Sequence, residues 1–414
     1  MEPRTSEPVV DVLMATTSYP SNATDWKGQF IHQLAAALDQ TGRVQLALWG
    51  PPGELPGGVR TANSAQDADW LRAMADIGGI AHALRTNPIR GLLIARGLLS
   101  RLRAACRRHS PHLYHVNWLQ LTLGLPDDQR PAYVSVLGSD FGLLRVPGIS
   151  ALLRRAFARR PTLLAPNAGW MAAALAERFG DLARVEPNPF GVASQWFELS
   201  RAPSMPHEWL VVSRITRKKL GDLPGWGAGL FGVERRLELL GPAQQEISLP
   251  DWIERHGATD PDGLRNHWFP RAAGLLTLSR HDEGRPQVLI EAMAAGLPVI
   301  ASRIPAHADL VRHGETGWLV DSRDELAEAL RQAEDPSIGP MIGAAARTWV
   351  RERIGTWDDT ARRCIAAYDT LLGRTSIQQE ERESPAATSP GDRHPDGDYP
   401  SLASLVGDLK KAER

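Results

Sequence analysis

Glu283 and Glu291 stand eight positions apart around the segment Glu283-Gly284-Arg285-Pro286-Gln287. The apolar run at 274–278 reads as a strand, and a helix starts near Pro286, since proline is well placed in a first turn. Gly296 and Pro298 end that helix. A helix N-terminus carries free N–H groups and partial positive charge, so this one is suited to a pyrophosphate. Gly284 lets a ligand come close to the backbone. Glu283, just before the helix, can accept hydrogen bonds from sugar hydroxyls, and Glu291, about a turn and a half inside, lies within reach of a ribose diol. Two cations belong with them. Arg214 and Lys219 lie in Ser213-Arg-Ile-Thr-Arg-Lys-Lys219, directly after an apolar run at 209–212. Cations at a strand's carboxyl end are placed to neutralise charge on a diphosphate leaving group.

The elements that position these groups follow from periodicity. Buried-strand patterns at 9–15, 44–49, 113–116, 133–137 and 162–165 alternate with helical spacing at 29–38, 92–108, 151–159 and 170–179. The polar, proline-containing stretch at 200–207 interrupts the alternation. It restarts at 209–212 and continues through 237–240, 253–256, 274–278, 298–301 and 318–320, with helices between. Strand and helix in alternation imply parallel sheets covered on both faces. The expectation is an α/β chain of two Rossmann-like, doubly wound domains facing a central cleft, each offering its strands' carboxyl ends. The divisions are 1–200, 201–355, a final helix at 356–374 packing back toward the first domain, and a disordered tail at 375–414 rich in Glu, Ser, Pro, Gly and Asp.

Composition sets further bounds. The 414 residues suffice for two cores, and 43% apolar with 23% charged residues is the balance of a soluble globular protein. A formal net charge of −1 argues against a nucleic-acid partner. Cys106 and Cys364 are too few for a disulfide framework or a cysteine-rich metal site. Residues 1–8 are polar, which gives no signal peptide, and no apolar run reaches membrane-spanning length; the expected location is cytoplasmic. Asp67-Ala-Asp69 and Asp260-Pro-Asp262 have the D-x-D form of some metal sites, but a helical stretch and a Pro/Gly-rich turn explain them. No metal or cofactor is expected. Thirteen arginines stand between Arg85 and Arg160, against three acidic residues, Asp127, Asp128 and Asp140. With Leu and Ile on one side of 92–108 and Arg on much of the other, peripheral contact with an anionic membrane is expected.

The segment from Glu283 to Glu291 resembles the E-x7-E motif of glycosyltransferase family 4, whose members have the GT-B fold. Ser213 to Lys219 resembles that family's Gly-Arg-Leu-x-x-x-Lys-Gly segment, with Arg214 and Lys219 at the matched positions. His307 and Thr316-Gly317-Trp318 fall where the family has its post-helix loop and following strand. In the first domain Tyr19-Pro20 and Gly28-Gln-Phe30 look like the family's glycine loop, and His115-Val-Asn-Trp118 like its H-x-H-W strand end. Leu137-Gly-Ser-Asp140 matches H-G-S-D except at its first position. A leucine cannot hydrogen-bond a sugar as a histidine can. The stretch from Lys219 to Glu283 is shorter than the family's, by about one βα unit.

The resemblance spans roughly residues 9–373. It implies a retaining, metal-independent transferase that moves a hexosyl group from a nucleotide-diphosphate sugar to a lipid-linked or polysaccharide acceptor, in envelope or exopolysaccharide synthesis. Arg214, Lys219 and Glu283 are then the catalytic set. Gly284, Arg285, Gln287 and Glu291 bind the donor, and Gly28, His115 and Asp140 serve the glycine loop or acceptor side, Asp140 being equally suited to a structural cap. Two other classes share the architecture. A UDP-sugar 2-epimerase would need acid/base carboxylates and histidines in the cleft instead of an E-x7-E helix. A non-catalytic partner subunit would have no physical need of the donor-site residues.

Overall fold

The computed structural model describes residues 9–22, 25, 27–76, 86–281 and 283–374. The tail at 375–414 and Arg85 of the basic stretch lie outside the described residues. The first sheet has β1 (Val10–Ala15), β2 (Val44–Trp49), β3 (Arg60–Thr61), β4 (Leu113–Asn117), β5 (Ala132–Val136), β6 (Thr162–Pro166) and β7 (Arg184–Val185). Its order is β3-β2-β1-β4-β5-β6-β7, and the pairings are parallel. The crossovers carry α1 (Gln29–Gln40), α2 (Ala65–Asp76), α3 (Pro88–His109), α4 (Ile149–Phe157) and α5 (Ala172–Phe179). Side chains of β1 alternate between two cores. Val10, Val12 and Met14 join one, and Leu13 and Ala15 the other. A strand covered on both faces is a nearly continuous apolar run, as β1 is apart from Asp11.

The second sheet has β8 (His207–Val212), β9 (Arg235–Leu240), β10 (Ile253–His256), β11 (Gly274–Thr277), β12 (Val299–Ser302) and β13 (Trp318–Val320). Its order is β10-β9-β8-β11-β12-β13, again parallel. Strand order reverses between β8 and β11, so the crevice at their carboxyl ends is where such a sheet binds ligands. After β8 comes the one-turn α6 (Arg217–Leu220); α7 (Gln287–Ala294) follows β11. Then come α8 (Arg323–Glu334), α9 (Ile338–Arg353) and α10 (Trp357–Leu371).

Six strands make up this sheet, and its crossovers differ in length. The stretch from β9 to β10, residues 241–252, contains no helix. Cover comes instead from Trp252 stacked on Phe231, with ring centroids 5.4 Å apart and planes at 10°.

Helix α10 returns to the first sheet. Trp357, Ala361, Cys364, Ile365 and Tyr368 pack into the core beneath α1, and Arg43 pairs with Asp369 at 3.2 Å. No helix among the described residues is long and apolar enough to cross a membrane.

Candidate active site

The two ends of the switch point are tied together by backbone. Thr216 caps α6 by accepting from the Lys219 amide at 3.2 Å, and the Arg280 amide donates to the Lys218 carbonyl at 2.8 Å. Gly221, at φ +53°, lets the turn lie against the end of β11; a Cβ there would stand 2.9 Å from the Leu278 carbonyl carbon. This seats Lys219 Nζ 2.7 Å from Glu283 Oε1, and the Ser279 hydroxyl donates to the same oxygen at 2.8 Å. Lys219 and Glu283 are 17% and 9% exposed. Burial alone would raise the Glu283 pKa, but the Lys219 charge and hydrogen bond, with Ser279, hold it below the ordinary glutamate value.

Glu291, on the second turn of α7, meets the opposite fate. Burial pushes it up to about 8, with a hydrogen bond from Gln287 pulling the other way. It therefore carries its proton at neutral pH. The Gln287 amide donates to the Gly191 carbonyl at 2.8 Å, so it ties α7 to the linker. Arg214 is directed toward the β9–β10 loop, where it donates to Gln244 at 3.4 Å. The structure thus joins Lys219 with Glu283.

Gly284 and Arg285 form a seam with the first domain. A Cβ on Gly284 would stand 2.7 Å from the Leu137 carbonyl carbon and 3.0 Å from Gly138 Cα. The Trp170 indole donates to the Gly284 carbonyl at 2.9 Å. Arg285, 7% exposed, pairs with Asp309, and Asp309 also accepts the Gly169 and Trp170 amides at 3.2 and 3.0 Å. Asp309, Trp170 and Ser279 were not singled out by sequence reasoning. Trp170 and Asp309 lie 114 and 24 positions from the groups they touch, and no spacing marks them.

In the first domain, the expectation that His115 serves the acceptor side is corrected. His115 is fully buried, with Nδ1 2.6 Å from the Tyr368 hydroxyl and Nε2 2.9 Å from Ser135 Oγ. Both ring nitrogens are engaged, and burial pushes its pKa down to about 3. It is a core residue joining the sheet to α10. Asp140 accepts the amides of Leu119, Leu137 and Gly138 at 3.0, 3.1 and 2.9 Å, so it shapes the loop that meets Gly284. Burial raises it to about 6 against the pull of those donors. The structural cap is the role its geometry supports. Gly28, at φ +69°, is filled by its own loop: a Cβ would stand 2.7 Å from the Ser18 carbonyl. The glycine lets residues 18 and 19 pack against the start of α1.

The paired aspartates are engaged structurally. Asp67 binds Arg101 and Arg108 at 3.3 and 2.7 Å, and Asp260 caps the Gly263 amide at 2.7 Å. Among the described residues, Glu238, Glu254 and His256 bring three candidate ligand atoms within 4.8 Å, but on β9 and β10, apart from the Lys219–Glu283 pair.

Residues 266–342 match the family described as Glycosyl transferases group 1. The chain is 31% identical over 199 residues to "Exopolysaccharide phosphotransferase SCO2592" of Streptomyces coelicolor, covering 45% of this chain and 20% of that protein. It is 31% identical over 173 residues to "Putative colanic acid biosynthesis glycosyltransferase WcaL" of Salmonella typhimurium, covering 37% and 42%. The matched stretches thus span less than half the length of these relatives. Among solved structures, sucrose-phosphate synthase from Thermosynechococcus elongatus superposes with a TM-score of 0.67 at 16% identity, over 88% of this chain and all of that one. Anabaena Alr3699/HepE, solved in complex with UDP and glucose, gives 0.61 at 14%, over 87% and all. The fold is GT-B.

Proposed function

We propose that this chain is a glycosyltransferase that moves a hexosyl group from a nucleotide-diphosphate sugar, with retention and without a metal ion. The observation that carries the reading is the Lys219–Glu283 pair, 2.7 Å apart at the carboxyl ends of β8 and β11, next to the N-terminus of α7. A carboxylate that accepts sugar hydroxyls and a cation that meets a diphosphate are there in one place. A bound diphosphate would draw Lys219 away from Glu283 and leave the carboxylate for the sugar. As the glycosidic bond breaks, negative charge grows on the departing diphosphate, and Lys219 interacts more strongly with that state than with the intact donor. Retention fits, because the leaving phosphate oxygen can take the acceptor's proton on the same face. HepE's complex with UDP and glucose supports a donor of this class, and the names of the two relatives support a role in polysaccharide synthesis.

The acceptor side has a surface to match. Helix α3 exposes Ile89, Leu92 and Leu93 at 75%, 64% and 66%. At 100° per residue they share one stripe with Arg96, Arg103 and Arg107, opposite buried Leu98 and Leu102, which corrects the expected division of apolar and basic residues between two sides. Outward apolar residues beside arginines suit an anionic membrane surface. On this reading the enzyme works at the cytoplasmic leaflet.

A non-catalytic partner subunit is the second reading, favoured by Leu137 and by the seam that closes over Gly284. The test is turnover with nucleotide sugars, followed by release of free nucleoside diphosphate. In the enzyme, Lys219→Ala should lower kcat by about a hundred- to thousandfold, the cost of one preorganised charge-stabilising group. A rise in KM alone would make Lys219 a donor anchor. No diphosphate release from any donor would favour the partner subunit. Activity should survive EDTA, and an inverted product by NMR would overturn retention.

A further inference from the structure

His307 has no exposed surface and stands in the helical turn Pro305–Ala308 after β12. Its Nδ1 lies 2.9 Å from the Ser302 carbonyl oxygen, which can only accept. Nδ1 therefore carries the proton and Nε2 the lone pair. The Ser302 hydroxyl donates to the Ser279 carbonyl at 2.6 Å, and the Ser279 hydroxyl donates to Glu283 at 2.8 Å. This chain of bonds fixes the imidazole relative to Glu283, and the ring is near enough to feel the charges of both Glu283 and Lys219. Across the side chains of Lys219, Ser279, Glu283, Ser302 and His307, one buried atom has no hydrogen-bond partner, His307 Nε2. A buried acceptor without a donor is costly, and in a folded protein it calls for an explanation.

We propose that His307 is a further donor-site residue whose Nε2 accepts a hydrogen bond from a hydroxyl of the transferred glycosyl group, beside Glu283. The proposal rests on the nucleotide-sugar reading above. Burial keeps the imidazole below the usual histidine range, so it is neutral at pH 7. A neutral ring with a bare nitrogen attracts an O–H group and offers nothing to a phosphate oxygen. Its partner therefore belongs to the sugar, while Lys219 serves the diphosphate. The two side chains divide the donor between them, and His307 determines which sugar is held and how it is oriented.

The test compares wild type with His307→Asn, whose amide still donates to the Ser302 carbonyl but leaves no acceptor where Nε2 stood. Thermal unfolding checks that the variant folds. Calorimetry then measures binding of UDP, GDP and ADP, and of their glucose, galactose, mannose, N-acetylglucosamine and glucuronic acid conjugates. The expected result is a loss of about tenfold for the tightest-binding conjugate, the worth of one hydrogen bond, with the parent diphosphate unchanged within about twofold. His307→Gln, which returns an amide near the lost nitrogen, should recover part of the loss. If His307→Asn does not fold, His307→Gln must itself alter conjugate binding and spare the diphosphate. Equal losses for conjugate and diphosphate, or no loss for either, would overturn the role of His307 while leaving the nucleotide site standing. So would a wild type that binds no conjugate more tightly than its diphosphate. A folded wild type that binds none of these nucleotides would sink the nucleotide-sugar reading and this inference with it.

Discussion

Replacing Gly284 with alanine should hold the cleft open without damaging the donor half-site. Gly284 does not have positive φ, so alanine can adopt its backbone conformation, and the conflict lies only across the seam. The new Cβ would stand 2.7 Å from the Leu137 carbonyl carbon and 3.0 Å from Gly138 Cα. Carbon atoms pack at about 3.5–4 Å, so the two loops must part by roughly 1 Å. That displacement stretches the 2.9 Å bond from the Trp170 indole to the Gly284 carbonyl to about 4 Å, beyond hydrogen-bond range. Misplacing reacting groups by about 1 Å costs on the order of a hundredfold in rate. The assay is steady-state turnover alongside calorimetric binding of the preferred nucleoside diphosphate. Turnover should fall by about a hundredfold, the scale set by that displacement, with nucleotide affinity changed by less than about twofold, because Lys219 and Glu291 are untouched. Gly57→Ala, where a Cβ meets nothing within 4 Å, is the control. Wild-type turnover in Gly284→Ala would refute the idea that this seam must close for catalysis. An equal fall in affinity and rate would show that the damage lies in the donor loop.

Further outcomes are expected at three places. Glu291 is raised to about 8, so a nucleotide whose ribose needs the carboxylate should release a proton on binding at pH 7; heats independent of buffer ionisation would remove Glu291 from that role. The same raised pKa means that its contribution to stability is present below about 4.5 and lost as pH rises through about 8, a trend that Glu291→Gln should flatten in denaturant titrations. His115→Ala should lower stability by about 2–4 kcal/mol, through the cavity and the unpaired Tyr368 and Ser135 hydroxyls, with donor KM unchanged; a KM effect in a stable variant would restore it to the site. Because its pKa is depressed to about 3, wild-type stability should also fall as pH drops from about 6.5 toward 3. Replacing Ile89, Leu92 and Leu93 by serine should abolish sedimentation with anionic liposomes at low salt, and unchanged sedimentation would leave that face merely solvated.

The residues decided the elements and one end of the site. Alternating strand and helix patterns prescribe two doubly wound sheets, because an apolar strand must be covered on both faces. Pro286 starts α7, and Lys219 and Glu283 stand at strand ends that any such sheet brings together at its switch point. These properties depend on short-range spacing, which the sequence displays directly.

Only the tertiary structure decided which of the marked side chains remain available. His115 looks like a ligand group until Tyr368, 253 positions away, takes its second nitrogen. Asp140 looks like an acceptor carboxylate until three backbone amides claim its oxygens. The stretch between β9 and β10 carries no helix, and the stacking of Trp252 on Phe231 has no signature in the spacing of either residue. Hydrogen-bond capacity is exhausted by partners wherever the fold delivers them, and those partners leave no periodic trace. For the same reason Asp309, holding Arg285 together with the amides of Gly169 and Trp170, became visible only once the two sheets faced each other.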